Sequence, residues 1–305
     1  EPFLDPKSRT YWVGLLAFLV VAAVIAFRDR KKPTNPRSLR QALRHPSSQL
    51  DFQLFVGRQL LRALGLVPII ATGWWVATHG VIWMDANWGR INPPEWSALS
   101  VAILYSVTLF VIWDLSRFLV HWMMHRIPFL WSIHQVHHSA EVLTPMTFHR
   151  IHPVESWIYD LRGALATGFV AGGFYYVFRE NISHFTLLGV PAMAFILNIC
   201  TGNLRHSHLW IRFPEPVERW FLSPAQHQIH HSADPRHHGS NYGTWLAIWD
   251  RIIGSWKHAD EQPTAYGISA SERNHGDHLL SAWFGPLRGL APVAVVAVFC
   301  GISIA

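Results

Sequence analysis

Six stretches of the chain carry no Asp, Glu, Lys or Arg: residues 11–27, 63–84, 96–113, 163–178, 182–204 and 290–305. Runs of this kind constrain the fold more than any other feature. A helix needs about 20 apolar residues to cross a hydrocarbon core of roughly 30 Å. The first, fourth and sixth runs are short by that measure. Trp157 and Tyr159 can extend the fourth, and the sixth, in which the chain stops, is expected to be cut short. Only 14% of residues are charged, against about 25% in soluble domains. The 16 tryptophans point the same way, because Trp favours membrane interfaces. A large soluble helical core is the competing reading, and the lengths of the second and fifth runs argue against it. The expected fold is all-α: a multi-pass transmembrane bundle of about six spans with a cytosolic, histidine-rich helical cap. Three units are expected: an N-terminal helix and basic loop over 1–62, a catalytic domain with its spans over 63–288, and a C-terminal helix over 289–305.

The net charge of +6 is unevenly spread. Arg28, Arg30, Lys31, Lys32, Arg37, Arg40 and Arg44 face a single acid, Asp29. A nucleic-acid partner is not expected, because this run lies between two apolar segments; a cytoplasmic juxtamembrane loop fits better. Alternating crossings then put residues 114–160 and 205–288 on the same cytoplasmic face, with the fourth and fifth spans forming a hairpin through 179–181. The expected location is a bacterial inner membrane, or an endoplasmic reticulum membrane in a eukaryote. Cys200 and Cys300 lie in apolar runs and read as small buried hydrophobes.

Twenty histidines are present, seven within 121–152 and seven within 206–238. His121 and His125 are spaced i, i+4 on one helical face. His134, His137 and His138 share a face at i, i+3, i+4, and His227, His230 and His231 repeat that pattern. Residues 134–141 read HQVHHSAE and residues 227–234 read HQIHHSAD, identical at six of eight positions. Two copies of one local site suggest two equivalent metal-binding halves. Crowded imidazoles are mostly neutral near pH 7, and neutral imidazole suits Zn, Cu, Ni and Fe. With His206 the set reaches nine ligands, more than one ion can take. No Glu-x-x-His pair and no cysteine cluster lies within the windows 121–152 and 206–238, so an all-nitrogen site for two metals is expected.

HWMMH, HQVHH and HQIHH, together with LWSIHQVHHS, HRIHPVES, HHSADPRHHGSNYG and LAIWDRIIGSW, closely resemble the fatty acid hydroxylase and sterol desaturase superfamily over roughly residues 105–258. The resemblance implies a non-haem di-iron site, molecular oxygen as co-substrate and an external electron donor. It makes His121 and His125 the first box, His134, His137 and His138 the second, and His227, His230 and His231 the third. His206, in NLRHSH, matches an extra histidine before the third box. His152, in HRIHPVE, matches another recurrent histidine, either a ligand or a neighbour of one. His208, His237 and His238 are expected to be solvated or to stand behind the ligands, and His149 is weaker still. Zinc is an expected substitute in purified protein.

Among the acids, Asp114 lies two turns before His121 on the same helix face. It is placed to accept from a ligand imidazole or to deliver protons; an i, i+3 pair with Arg117 is the alternative. Glu155, Asp234 and Asp250 could orient imidazoles or cap helices. Asp114, Glu155 and His152 are the candidate catalytic residues. No nicotinamide or flavin glycine fingerprint, haem-attachment motif or ferredoxin-type cysteine set occurs. A separate ferredoxin, rubredoxin or cytochrome-type partner is therefore expected. A site where spans meet the cytoplasm lets a lipid-like substrate enter from the bilayer while electrons arrive from water. The outcome is hydroxylation, desaturation or ether cleavage, which box spacing does not separate. The alternatives are a metal transporter and a zinc-dependent membrane hydrolase with Glu155 as general base.

Overall fold

The computed structural model describes residues 4, 11–28, 39–66, 71–179, 186–187 and 190–288. Most of the basic loop, the start of the fifth apolar run, Cys300 and the C-terminal run lie outside the described residues. Twelve α-helices are described: α1 Trp12–Arg28, α2 Leu39–Arg44, α3 Pro46–Ala63, α4 Gly73–Trp88, α5 Ala98–Arg126, α6 Pro128–His138, α7 Pro153–Phe178, α8 Ala192–Leu197, α9 Glu215–Glu218, α10 Pro224–His230, α11 Ile248–Ile253 and α12 Leu279–Phe284. Among the described residues strand pairing is limited to Thr186–Leu187 against Val190–Pro191 and to the isolated bridges Phe221–Leu246 and Ser232–Tyr266. The all-α expectation therefore holds for the architecture.

Helix α5, of 29 residues, is the one described helix long and apolar enough to cross a membrane, its most apolar 18-residue window having a mean hydropathy of 2.0. Where they are described, the other apolar runs form shorter or interrupted helices. The run 63–84 is not one helix: α3 ends where Gly65 takes φ +70°, and α4 begins at a Thr72 cap that accepts from the Trp75 amide. The run 182–204 contains α8 and a π-helical turn, Asn198–Gly202.

Small residues bring α4 and α7 together. A Cβ on Gly168 would lie 2.5 Å from Val76 Cβ and 2.7 Å from the Gly73 carbonyl. Such close backbone approach is typical of helices packed in lipid, where apolar burial alone does not drive association. Tyr105, Leu109 and Val170 pack α5 on α7. Trp74, Trp83, Leu99, Ile103, Val107 and Phe169 of these three helices are exposed. An apolar surface of that extent is unusual in a soluble monomer.

Beyond this bundle the chain folds into a polar cap held by buried ionic groups. Arg150, fully buried, donates to Asp51 of α3 at 3.0 Å, to the Val136 carbonyl at 2.8 Å and to Ser139 Oγ at 2.8 Å. Asp51 also accepts from Thr147 Oγ1 at 2.7 Å. This network ties α3 and the 145–150 segment to the end of α6. A capping box of Ser223 and Gln226 starts α10. Asn241, at φ +56°, bridges the Gln226 and Lys257 carbonyls through its side-chain amide.

Candidate metal centre

Four elements deliver the histidines. Helix α5 runs from its apolar half into the cap and carries His121 and His125 near its C-terminal end. Helix α6 carries His134, His137 and His138, and α10 carries His227 and His230, with His231 as its C-cap. His206 follows the π-helical turn. All nine expected ligands come together, in two groups. His121, His125, His134, His138 and His230 form one; His137, His206, His227 and His231 form the other; within each, the potential ligand atoms all lie within 4.8 Å of one another. The groups cut across the boxes. Each copy of the repeat supplies both, so the repeat does not build one half apiece as its duplication suggests.

Backbone and carboxylate oxygens set the tautomers. His121 Nδ1 meets the Tyr242 carbonyl at 2.7 Å, His230 Nδ1 the Ser240 carbonyl at 2.8 Å, and His137 Nδ1 the Arg150 carbonyl at 3.2 Å. His134 Nδ1 meets Glu155 Oε1 at 2.8 Å. A carbonyl only accepts, so each facing Nδ1 donates, and the Nε2 of the neutral ring is left a bare lone pair. His121 Nε2 and His230 Nε2 nevertheless stand 3.1 Å apart. In the second group His206 Nε2 lies 3.2, 3.2 and 3.0 Å from the Nε2 atoms of His137, His231 and His227. Nε2 of His125, His134 and His138 is buried with no hydrogen-bond partner. Facing lone pairs repel unless a cation lies between them. Metal–nitrogen bonds of about 2.0–2.1 Å place adjacent ligands roughly 3.0–3.4 Å apart. Both groups therefore fit metal ions.

Burial, reinforced by neighbouring imidazoles, pushes His137, His138, His227 and His231 well below the usual imidazole range. Burial likewise lowers His230 to about 3. Neutral rings are the ligand-competent form.

The other singled-out residues stand around this centre. Glu155 holds His134. Asp114 accepts from the Trp245 and Leu246 amides, each at 3.1 Å, and from Trp249 Nε1 at 2.9 Å. It thus anchors the 245–249 segment rather than meeting an imidazole or pairing with Arg117. Asp250 does the same for its neighbours, accepting from the Tyr242 and Gly243 amides at 2.8 and 2.7 Å. That contact fixes the carbonyl on which His121 rests. His152 lies in neither group. Its Nδ1 caps α7 through the Val154 amide at 3.1 Å, and its Nε2 donates to the Trp283 carbonyl at 2.8 Å. Asp234 pairs with Arg236 on the surface. His149 meets Arg58, His237 meets Ser232 and His208 packs on Phe18. Sequence reasoning missed the carbonyls of Arg150, Ser240 and Tyr242, since any residue supplies one. It also passed over Arg205, which with Arg117 lines a cavity beside His121, His137 and His206.

The fatty acid hydroxylase family profile matches residues 106–255, which contain every histidine of the two groups. An alkylglycerol monooxygenase of Xenopus tropicalis is 28% identical over 51% of this chain and 31% of its own length. A lathosterol oxidase of Mus musculus is 25% identical over 54% of this chain and 48% of its own. An ornithine lipid hydroxylase of Rhizobium tropici is 25% identical over 52% of this chain and 43% of its own. The chain thus spans less than half the length of each of these relatives. No solved structure gives a significant match. Residues 106–255, with their histidine boxes gathered into two groups, belong to the fatty acid hydroxylase and sterol desaturase superfamily.

Proposed function

We propose that this protein is a membrane-bound, O2-dependent oxidoreductase that holds two iron ions and hydroxylates or desaturates a C–H position of a lipid, sterol or fatty-acyl substrate. The observation that carries the reading is the 3.1 Å approach of His121 Nε2 to His230 Nε2, with both Nδ1 atoms committed to carbonyls. His121, His125, His134, His138 and His230 would hold one ion, and His137, His206, His227 and His231 the other. Bound there, iron supplies the oxidising power that side chains lack for an unactivated C–H bond. An all-imidazole set also accepts zinc, which can replace iron during purification.

The chain's own residues do the positioning. The carbonyls of Tyr242, Ser240 and Arg150 and the Glu155 carboxylate orient four of the imidazoles. Partners of this kind fix ring orientation and raise ligand basicity. Glu155 is proposed as a site residue through its direct contact with His134, and His152 through its cap on α7. Asp114 acts on the site through the segment that it anchors.

The proposed setting is a multi-pass membrane protein with the site on the cytoplasmic side. The exposed apolar surfaces of α4, α5 and α7 and the passage of α5 into the cap support it. Units 1–62, 63–288 and 289–305 remain the proposed organisation. Electrons would come from a separate ferredoxin, rubredoxin or cytochrome-type protein. The relatives named above act, by their names, on an alkylglycerol, on lathosterol and on an ornithine lipid, which supports a lipid substrate.

Lipid profiling of cells with and without the protein tests this function. A gain of one oxygen indicates hydroxylation, and a loss of two hydrogens indicates desaturation. His137→Ala and His230→Ala should each abolish the change while the protein stays in the membrane fraction. Retained activity in both variants contradicts the ligand assignment. Turnover that needs zinc and no oxygen contradicts the oxygenase reading.

A further inference from the structure

Arg205 is 4% exposed and follows the π-helical turn directly into the cavity beside the histidines. Among the described residues only one of its guanidinium nitrogens reaches a partner, Thr201 Oγ1 at 3.2 Å, and its Nε is buried with none. Arg117, half-buried on α5, lines the same cavity. Its Nε donates to Thr244 Oγ1 at 3.0 Å, and its guanidinium lies 4.8 Å from the centre of the Tyr159 ring. Among the described residues neither arginine forms an ion pair. Of the carboxylates close by, Asp114 attracts Arg205 but gives its oxygens to two amides and an indole, and Glu155 holds His134 through Oε1 while its Oε2, on the same cavity, has no hydrogen-bond partner among the described residues.

Leaving the donors of a buried guanidinium without partners is costly, and native proteins pair or solvate such charges. The ring contact at Arg117 offsets only part of that. Both side chains keep donors turned to one cavity, and the guanidinium fork matches a carboxylate or a phosphate. Arg205 also borders a second cavity, of about 240 Å³, lined mainly by Leu197, Phe213, Val217, Phe221 and Trp245. One cation thus stands between a polar cavity at the histidines and an apolar one behind it. An amphiphile has that division of head and tail.

We propose that Arg117 and Arg205 form an anion-binding subsite that takes the carboxylate or phosphate group of the lipid substrate beside the histidine groups. Calling the ligand a substrate rests on the oxygenase reading above; the subsite itself does not. The substrate class is then an anionic amphiphile rather than a neutral lipid.

The test is competition for a fluorescent long-chain carboxylate on the purified, metal-loaded full chain in neutral detergent. The competitors are hexadecanoate, hexadecyl phosphate, hexadecanol and inorganic phosphate. Charge-assisted hydrogen bonds predict that one or both anionic amphiphiles compete at least about tenfold more strongly than hexadecanol. The stronger of the two identifies carboxylate or phosphate as the head. Inorganic phosphate, which has no tail, should compete far more weakly. Arg205→Gln should remove most of the preference with metal content unchanged, and Arg205→Lys should keep part of it. Arg117→Gln, at a half-exposed position, gives the same readout should Arg205→Gln fail to fold. Equal competition by hexadecanol or by inorganic phosphate overturns the proposal, as does a full preference in both Gln variants. Anion preference without any lipid oxidation sinks the oxygenase reading alone. Oxidation of neutral lipids without anion preference sinks the subsite alone.

Discussion

The imidazoles of His138 and His231 stack with ring centroids 4.4 Å apart and planes 18° from parallel. They come from different copies of the repeat and from different ligand groups. The two groups are therefore adjacent parts of one centre, not separate sites.

This regrouping gives different roles to His137 and His138, which are neighbours in sequence. His138 serves the five-histidine group and His137 the four-histidine group. Each single alanine variant is expected to lose one metal and keep the other, lowering content from about two ions per chain to about one. Metal analysis of the two purified variants checks it. Complete loss in both would mean that the groups bind as a unit.

Glu155→Gln keeps the shape of the His134 contact and removes its charge. The expected result is a 10–100-fold loss of metal affinity at one group, the usual cost of losing such a partner. Metal titration against a competing chelator reads it, and wild-type affinity would show that Glu155 is dispensable for holding His134.

The boxes were legible because 3.6-residue periodicity puts i, i+3 and i+4 positions on one face whatever the tertiary fold. The split between His137 and His138 was not. It depends on how α6 and α10 are turned toward each other, and no local pattern records that. Helical spacing alone places Asp114 either on an imidazole, because it shares a face with His121, or on Arg117 at i, i+3. The 245–249 segment, 131 positions or more away in sequence, takes its oxygens instead. The run 63–84 read as one continuous span by charge content alone. The Gly65 turn and the Thr72 cap divide it, and backbone turns of this sort outweigh composition.

Gly168→Leu should disrupt the α4–α7 contact, because even a Cβ there would sit 2.5 Å from Val76 Cβ. Overpacking of this kind costs about 1–3 kcal/mol or more. The check is thermal stability in detergent, with Gly163→Leu, where a Cβ meets nothing within 4 Å, as the comparison. Equal melting temperatures would remove the close packing from the account.

His152 predicts a pH dependence of stability. Burial lowers its ring to about 4 in the folded protein, below the ordinary 6.5. The unfolded chain thus binds the extra proton first. Stability from the neutral ring is complete above about pH 6.5 and is lost as pH falls toward 4. The loss amounts to at most about 3 kcal/mol. His152→Asn keeps a capping side chain without the titration. Its melting temperature should fall less than the wild type's between pH 6.5 and 4. Parallel curves would contradict the assignment.

The central claim is tested most directly by the iron content of the purified full chain after anaerobic reconstitution. About two ions per chain are expected, falling to near zero when His121 and His206, one from each group, are replaced together by alanine. A wild-type ratio near zero, or one unchanged by the double replacement, would contradict it.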